Sequence, residues 1–256
     1  MPFQEIAPEK LSHAVVRQIE RLILQGVLRP GERLPSEREL SERLGVSRPS
    51  LREAVAELQE SGLLTAKAGA GVFVAEVLGS AFSPALIRLF GAHDEAVFDY
   101  LDFRRDMEGL AAERAARLGS DTDLAVIAAI LARMETAHQK RNPEDEAALD
   151  VEFHMAIVEA SHNVIMLHMM RSMFELLREG VFYNRQIMFR QKNTRSLLLD
   201  QHREINAAIQ ARAPEAARRA VEAHMSFVRA ALTEDRRARQ NEEVARLRLA
   251  HEAERG

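Results

Sequence analysis

The sequence predicts a mainly α-helical fold in two parts: an N-terminal winged helix-turn-helix of three helices plus a small β-hairpin, and a C-terminal all-α bundle of six or seven helices. Two observations predict it. Residues 33–52 contain two short helical patterns, a tight turn between them and a series of arginines. From about residue 84 onward, apolar residues recur almost continuously with the 3.6-residue period of amphipathic helices. The predicted segments are 1–75 for the winged domain, 76–84 for a linker, 85–235 for the bundle and 236–256 for a charged tail.

Capping signals set the boundaries of the two short helices. Ser36 is an N-cap candidate with Glu39 three residues later, which is the pattern of a capping box, and Gly45 is suited to end that helix. Ser47 is the N-cap candidate of the second helix. Pro49 is tolerated in its first turn because the missing N–H would have no helical partner there.

Long hydrogen-bond donors crowd the start of the second helix, where Arg48, Ser50 and Arg52 stand. A recognition helix needs such donors because its N-terminal end meets phosphates and base edges. The competing interpretation is a solvated face of ion pairs, since several glutamates lie nearby. Residues 1–75 carry ten basic and ten acidic side chains, so DNA binding would depend on a few placed contacts rather than on bulk charge.

The flanking segments complete the predicted winged domain. Residues 10–26 place apolar side chains on one helical face and end at a glycine. Residues 63–67 and 72–74 are strand candidates, and the glycines of the Ala68-Gly69-Ala70-Gly71 segment between them suit a tight hairpin.

The composition is that of a globular protein. The chain has 256 residues, 46% of them hydrophobic, and a formal net charge of −4. It contains no cysteine, which excludes disulfides and thiolate metal ligands. No apolar run approaches the ~18 residues of a membrane span, and the N-terminus lacks the features of a signal peptide. We therefore expect a cytoplasmic protein with no membrane partner.

The second half contains helical patterns separated by clear breaks. Break signals are Gly119-Ser120, Asn142-Pro143, Asn163, Asn193-Thr194 and Ala213-Pro214. The predicted helices span 94–118, 121–140, 144–161, 164–191, 195–211 and 214–234. The charged tail that follows is weakly amphipathic, and the sequence leaves open whether it extends the last helix or frays.

Four side chains in these helices are candidate metal ligands. Asp150 and His154 stand one turn apart on one helical face, and His202 and His224 lie in two further apolar helices. A carboxylate and three imidazoles from three helices suit Zn²⁺, Ni²⁺, Mn²⁺ or another divalent ion. The alternative is that these histidines are core residues hydrogen-bonded to the backbone, because this spacing is common by chance.

The N-terminal segment PGERLPSERELSERLGVSRPSLREAVAELQESGLL, with the GxG wing and FV after it, resembles the GntR family of bacterial transcription regulators. The resemblance covers about the first 75 residues. It implies that Arg38, Arg48 and Arg52 contact the operator and that Ser47 and Ser50 support them. It also implies that Gly69, at the wing tip, enters the minor groove.

The C-terminal half resembles the FCD ligand-binding domain of the FadR-like branch of that family. The resemblance rests on the segments FRRDMEGLAAERAA, DVEFHMAIVEASHN and DQHREINAAIQARAPEAARRAVEAHMSFV. It implies a metal site at Asp150, His154, His202 and His224. It also places Arg104 at a position that faces the ligand cavity. An intrahelical ion pair between Arg104 and Glu108 is an equally acceptable interpretation of that arginine.

The residues and the resemblance together predict a transcription regulator that is not an enzyme. We expect a homodimeric repressor that binds double-stranded operator DNA and is controlled by a small organic acid at a divalent metal, with zinc favoured over nickel or manganese. Similarity to members that sense pyruvate, lactate or glycolate suggests the effector, and a longer dicarboxylate or a sugar acid stays open. The alternatives are a metal-dependent enzyme and an effector-independent repressor with a structural metal.

Overall fold

The computed structural model describes residues 10–75, 84–178 and 192–255. The chain divides into two compact units, Met1–Gly79 and Ser80–Gly256. The predicted fold class is confirmed: three helices and a two-stranded sheet are followed by helices alone. The predicted linker lies outside the described residues except for residue 84, and so does the part of the predicted 164–191 helix that follows Arg178.

The first unit is a winged helix-turn-helix. It consists of α1 (Leu11–Leu24), α2 (Glu37–Leu44), α3 (Arg48–Glu60), β1 (Leu64–Lys67) and β2 (Gly71–Val74). The strands pair antiparallel, with Leu64 opposite Val74. Apolar side chains of α1, α3 and the hairpin form its core, which includes Val15, Ile19, Leu51, Leu58, Leu64 and Val74.

The helix ends of α2 and α3 follow the predicted caps, with one difference. The Ser36 and Ser47 hydroxyls accept hydrogen bonds from backbone N–H groups three residues later, both at 3.3 Å. Gly45 ends α2 in the left-handed region at φ 65°. At Ser36 only the hydrogen bond from the Glu39 N–H to the Ser36 hydroxyl forms. The second bond of the predicted capping box, from the Ser36 N–H to the Glu39 carboxylate, is not made, because that carboxylate pairs with Arg43 at 2.6 Å.

The second unit is an all-helical bundle. Its described helices are α4 (Pro84–Ala92), α5 (Asp94–Leu118), α6 (Asp121–Lys140), α7 (Pro143–Ala160), α8 (Val164–Arg178), α9 (Lys192–Gln210) and α10 (Pro214–Arg255). Among these, α10 is longer than the predicted 214–234 helix because the charged tail continues it, with residues 237–252 exposed. No helix in the described ranges is long and apolar enough to cross a membrane.

Helix α5 packs closely against α10. Gly109, Ala112 and Ala116 are small buried residues of α5. A Cβ added at Gly109 would lie 3.2 Å from Cγ of Glu222 on α10, so side chains of α10 pack directly over this glycine. Met166 and Met170 of α8 are buried in the core of the bundle, whereas Met169 is exposed. This packing holds α5, α7, α9 and α10 around a common interior.

The N-terminus of α6 carries a complete capping box. Ser120 Oγ accepts from the Asp123 N–H at 3.1 Å, and Asp123 Oδ2 accepts from the Ser120 N–H at 2.7 Å. We expect Ser120→Ala to lower the free energy of unfolding by about 1 kcal/mol, because it removes the cap. Calorimetric unfolding of the full chain measures the change. Ser226→Ala, on the surface of α10, is the matched control and should leave stability nearly unchanged; equal losses in the two variants would contradict the capping role.

Candidate metal centre and nucleic-acid interface

Four ligating side chains converge in the interior of the bundle. Asp150 and His154 come from α7, His202 from α9 and His224 from α10. One ligand atom from each lies within 4.8 Å of all the others. Asp150 is 3% exposed and each histidine 1%. The structure therefore brings together all four residues that the sequence analysis named, and they could hold a metal ion.

The donor set fits a divalent ion. His202 Nε2 lies 3.0 Å from Asp150 Oδ1 and 3.3 Å from His154 Nε2, and the His202 and His224 rings are 4.6 Å apart. Burial, followed by the neighbouring imidazoles, holds the pKa of His224 well below its usual value, so this ring is neutral and keeps a nitrogen lone pair for a metal. Neutral imidazoles with one carboxylate are a nitrogen and oxygen set that zinc and related ions accept.

Two further side chains orient the imidazoles, and the sequence analysis did not assign them this role. Glu108 of α5 lies 2.7 Å from His154 Nδ1, and Gln201 Oε1 lies 3.0 Å from His224 Nδ1. A hydrogen-bonded partner at Nδ1, such as Gln201 at His224, fixes the tautomer and leaves Nε2 for a metal, as is usual for metal-ligating histidines. The spacing of Glu108 suggested only an ion pair with Arg104; its contact with α7 depends on how the helices pack.

The buried Arg104–Glu108 ion pair is present. Arg104 Nε lies 2.5 Å from Glu108 Oε1, with both side chains almost fully buried, and the guanidinium carbon lies 4.8 Å from the Phe174 ring centre. Burial raises the pKa of Glu108, but the charge of Arg104 and the contacts from Arg104 and His154 outweigh it and lower the value to about 2. Glu108 is therefore a carboxylate that links Arg104 to the metal-ligand cluster. An effector contact by Arg104 stays a prediction.

The predicted DNA-contacting arginines are on the surface of the first unit. Arg38 lies 3.4 Å from Glu42, and Arg52 lies 2.8 Å from Glu37. Arg48 is exposed at the first position of α3. The surface ion pairs weighed as an alternative are thus formed at Arg38 and Arg52. They leave the arginine side chains largely accessible to a polyanion.

The supporting residues lie at the start of α3 and at the wing. Ser47 Oγ and Ser50 Oγ are 2.9 Å apart beside the N-terminus of α3. Gly69 is exposed in the hairpin turn at φ 70°, a backbone conformation that residues with a Cβ rarely adopt. Lys67 lies beside this turn, with its ammonium 4.7 Å from the Phe73 ring centre.

Comparison with known proteins assigns both units. Residues 11–74 match the family described as bacterial regulatory proteins, gntR family, and residues 99–227 match the FCD domain. The Glc operon transcriptional activator of Escherichia coli K12 is 34% identical over 223 residues, which cover 86% of this chain and 87% of that protein. The chain belongs to the GntR family. It carries an FCD domain and is a DNA-binding transcription regulator rather than an enzyme.

Other relatives agree with this assignment. The Uxu operon transcriptional regulator of Escherichia coli K12 is 30% identical and covers 91% of this chain and 87% of its own length. The HTH-type transcriptional regulator LutR of Bacillus subtilis is 31% identical and covers 81% and 94%. The structure named Streptococcus agalactiae GntR is 26% identical, with a TM-score of 0.52, and covers 86% of this chain and 99% of its own.

The metal-ligand cluster predicts that this GntR-family protein binds zinc. We expect the metal-free protein to take up about one Zn²⁺ per chain, and His202→Ala to weaken that uptake strongly, because it removes a donor from the cluster. Isothermal titration with zinc measures both. His251→Ala, at an exposed position of α10, is the control and should bind zinc as the parent does. Full zinc affinity in His202→Ala would remove this histidine from the site.

Proposed function

We propose that this GntR-family protein is a homodimeric regulator whose binding to operator DNA is controlled by a small carboxylate effector. The effector binds beside a divalent metal held by Asp150, His154, His202 and His224. The observation that carries the proposal is the buried convergence of these four ligand atoms within 4.8 Å in a domain joined to a helix-turn-helix. Repression stays a prediction, because the relative named for the Glc operon is an activator.

In this proposal, α3 is the recognition helix. Its N-terminus presents backbone N–H groups and the exposed side chain of Arg48, a combination that favours phosphate oxygens. The ion pairs of Arg38 and Arg52 are exposed, and exposed pairs contribute little to stability. Both arginines can therefore exchange a carboxylate for DNA at low cost. A dimer would place two such helices about 34 Å apart on successive turns of the duplex.

The charges around the cluster favour an effector with one negative charge. A divalent ion would supply two positive charges and attraction for a carboxylate oxygen. Asp150 and Glu108 contribute one negative charge each, and Arg104 contributes one positive charge, while ligating histidines are neutral. The net charge of this interior is then +1. A monocarboxylate neutralises it, whereas a dicarboxylate leaves a buried negative charge, which is costly in a poorly solvated interior.

Arg104 is the proposed effector-binding side chain on the α5 side of the cluster. Arg104 gives its Nε–H to Glu108, and the fixed planar fork of a guanidinium matches the geometry of a carboxylate. An effector bound there would contact groups from several helices. It can alter DNA binding only if it binds two helix arrangements with different affinities, and a coupling of about 1–3 kcal/mol suffices.

The recognition-helix assignment makes a prediction about DNA. Selection of operator sequences from a random duplex library should enrich a motif with the parent protein. We expect Arg48→Ala to bind that motif about tenfold more weakly or worse, because each chain loses a donor at the groove. Fluorescence anisotropy measures the affinity. Arg246→Ala removes an arginine with an i,i+4 partner from the exposed part of α10 and should bind as the parent does. Equal affinity of the Arg48 variant would reject the assignment.

The effector hypothesis makes a second prediction. In thermal-shift measurements on the zinc-loaded chain, we expect lactate or glycolate to raise the unfolding temperature, because a ligand that binds only the native state stabilises it. Lactamide, which is similar in size and has no charge, should act weakly, and His202→Ala should respond to neither. The same acid should change operator affinity without being consumed. Stabilisation without any change in DNA binding would instead favour an effector-independent regulator with a structural metal.

A further inference from the structure

The last part of α10 is an exposed helix. Residues 237–252, which we call the C-terminal extension, are all exposed, whereas Val228 and Leu232 of the same helix are buried in the bundle. At 1.5 Å per residue, the extension is about 24 Å long. Most helices in proteins gain their stability from packing, so the side chains of an exposed helix indicate what it could pack against.

The C-terminal extension carries a stripe of residues with the spacing of a coiled coil. The stripe consists of Gln240, Val244, Leu247 and His251. Intervals of four, three and four residues place these side chains on one helical face, with Val244 at an a position and Leu247 at a d position of the heptad. Val244 is 44% exposed and Leu247 65%. A β-branched residue at a and a leucine at d favour a parallel, two-stranded coiled coil.

The charged residues on the outer side of this helix are already paired. Asp235 and Glu242 occupy f positions of the same heptad, and Arg239 and Arg246 occupy c positions. Asp235 lies 2.9 Å from Arg239, and Glu242 lies 2.9 Å from Arg246, each four residues along the helix. Such pairs support an exposed helix face. The side of α10 that faces away from the stripe is therefore suited to water.

The charged residues beside the stripe are not paired in this way. Glu243 at a g position and Arg248 at an e position have no ion pair within the part of the chain that the structure describes. In a parallel coiled coil, a g residue of one helix faces the e residue five positions later in the other. Glu243 would then face Arg248 of a second copy, and two-fold symmetry would form the contact twice. An antiparallel pair would bring Arg248 near Asn241 instead, which matches neither charge.

We propose that the C-terminal extension is a self-association surface, and that its partner is the same segment of a second copy of this chain in a parallel coiled coil. The inference rests on the proposed function at one point, the homodimer. Val244 and Leu247 supply two apolar layers, and Gln240 and His251 supply polar layers on either side, so the extensions alone pair weakly. In a dimer joined through other surfaces, the high effective concentration makes such a weak contact sufficient.

The first test uses the absence of cysteine from the chain. Leu247→Cys places one thiol per chain at a d position, where the two side chains of a parallel pair meet closely enough for a disulfide. Leu249→Cys is the matched control, because Leu249 is 73% exposed but stands at an f position on the outer side. Under mild oxidation of the full chain, we expect Leu247→Cys to form linked dimers at least tenfold faster, as measured by non-reducing electrophoresis.

Two results of this test would overturn the inference. Equal rates for Leu247→Cys and Leu249→Cys would show that the stripe is not a contact between copies. Faster linkage in a mixture of Val244→Cys and Leu247→Cys than in Leu247→Cys alone would show an antiparallel arrangement.

The second test measures dimerisation of the full, zinc-loaded chain by analytical ultracentrifugation. We expect Leu247→Asp to raise the dissociation constant of the dimer at least tenfold, and Leu249→Asp to leave it near the parent value. Glu243→Arg should raise it at least threefold, and Glu243→Arg combined with Arg248→Glu should restore it, because the swapped charges again face each other. Zinc affinity should stay unchanged in all four variants.

The outcomes separate this inference from the proposed function. A dimer unaffected by Leu247→Asp would overturn the inference and leave the proposed homodimer standing. If that variant instead lost operator affinity at unchanged dimerisation, the stripe would belong to a contact with DNA, and the inference would again be overturned. A parent chain that stays monomeric at every concentration would overturn the homodimer and the inference together.

Discussion

The organisation of the helical domain depends on the free-energy cost of placing charged and strongly polar groups in its interior. Asp150, Glu108 and Arg104 are each almost fully buried, and three imidazoles lie among them. An ionised group removed from water without compensation costs many kcal/mol, so such groups must be paired, hydrogen-bonded or bound to a metal. The charge of Arg104 and the contacts from Arg104 and His154 compensate Glu108 and lower its pKa to about 2 despite burial. Asp150 faces His202 and the common point of the cluster, where a cation would complete the compensation.

The arginines of the two proposed sites lie in different surroundings. In the winged domain, the ion pairs of Arg38 and Arg52 are exposed, so water and salt weaken them and their partners can be exchanged. That suits arginines that alternate between a nearby carboxylate and a DNA phosphate. In the bundle, Arg104 and Arg195 are held in buried pairs whose geometry is fixed. Fixed buried pairs suit discrimination between small ligands, because a ligand that fails to match them leaves polar groups uncompensated.

Local patterns in the sequence predict those parts of the structure that local interactions determine. The caps at Ser36 and Ser47 follow from residue types, and the shared face of Asp150 and His154 follows from a four-residue spacing on a helix. His202 and His224 were candidates because they lie in apolar helical segments, and the resemblance to a family favoured the metal site over the alternative of core histidines. The convergence of the four residues agrees with the expected metal site.

Contacts between distant segments could not be predicted in this way. Glu146 and Arg195 are 49 positions apart in the chain, and each has the appearance of an ordinary helical charged residue in the sequence. The contact of Glu108 with His154 likewise requires α5 to pack beside α7. The failed half of the Ser36 capping box has a local cause, because Arg43 stands four residues after Glu39 and competes for its carboxylate. Propensity and spacing do not decide between such competing partners.

The arrangement of the cluster also explains how a ligand of a few atoms could influence a whole domain. Its ligands and the side chains beside them come from α5, α7, α9 and α10. The close approach of α5 and α10 at Gly109 leaves little space for one helix to move independently of the other. A dense interior responds to a displaced side chain by moving packed elements rather than by absorbing the change locally. An effector bound as proposed beside Arg104 would therefore act on α5 as a whole, and the free energy available is limited to the difference in its affinity for the two arrangements.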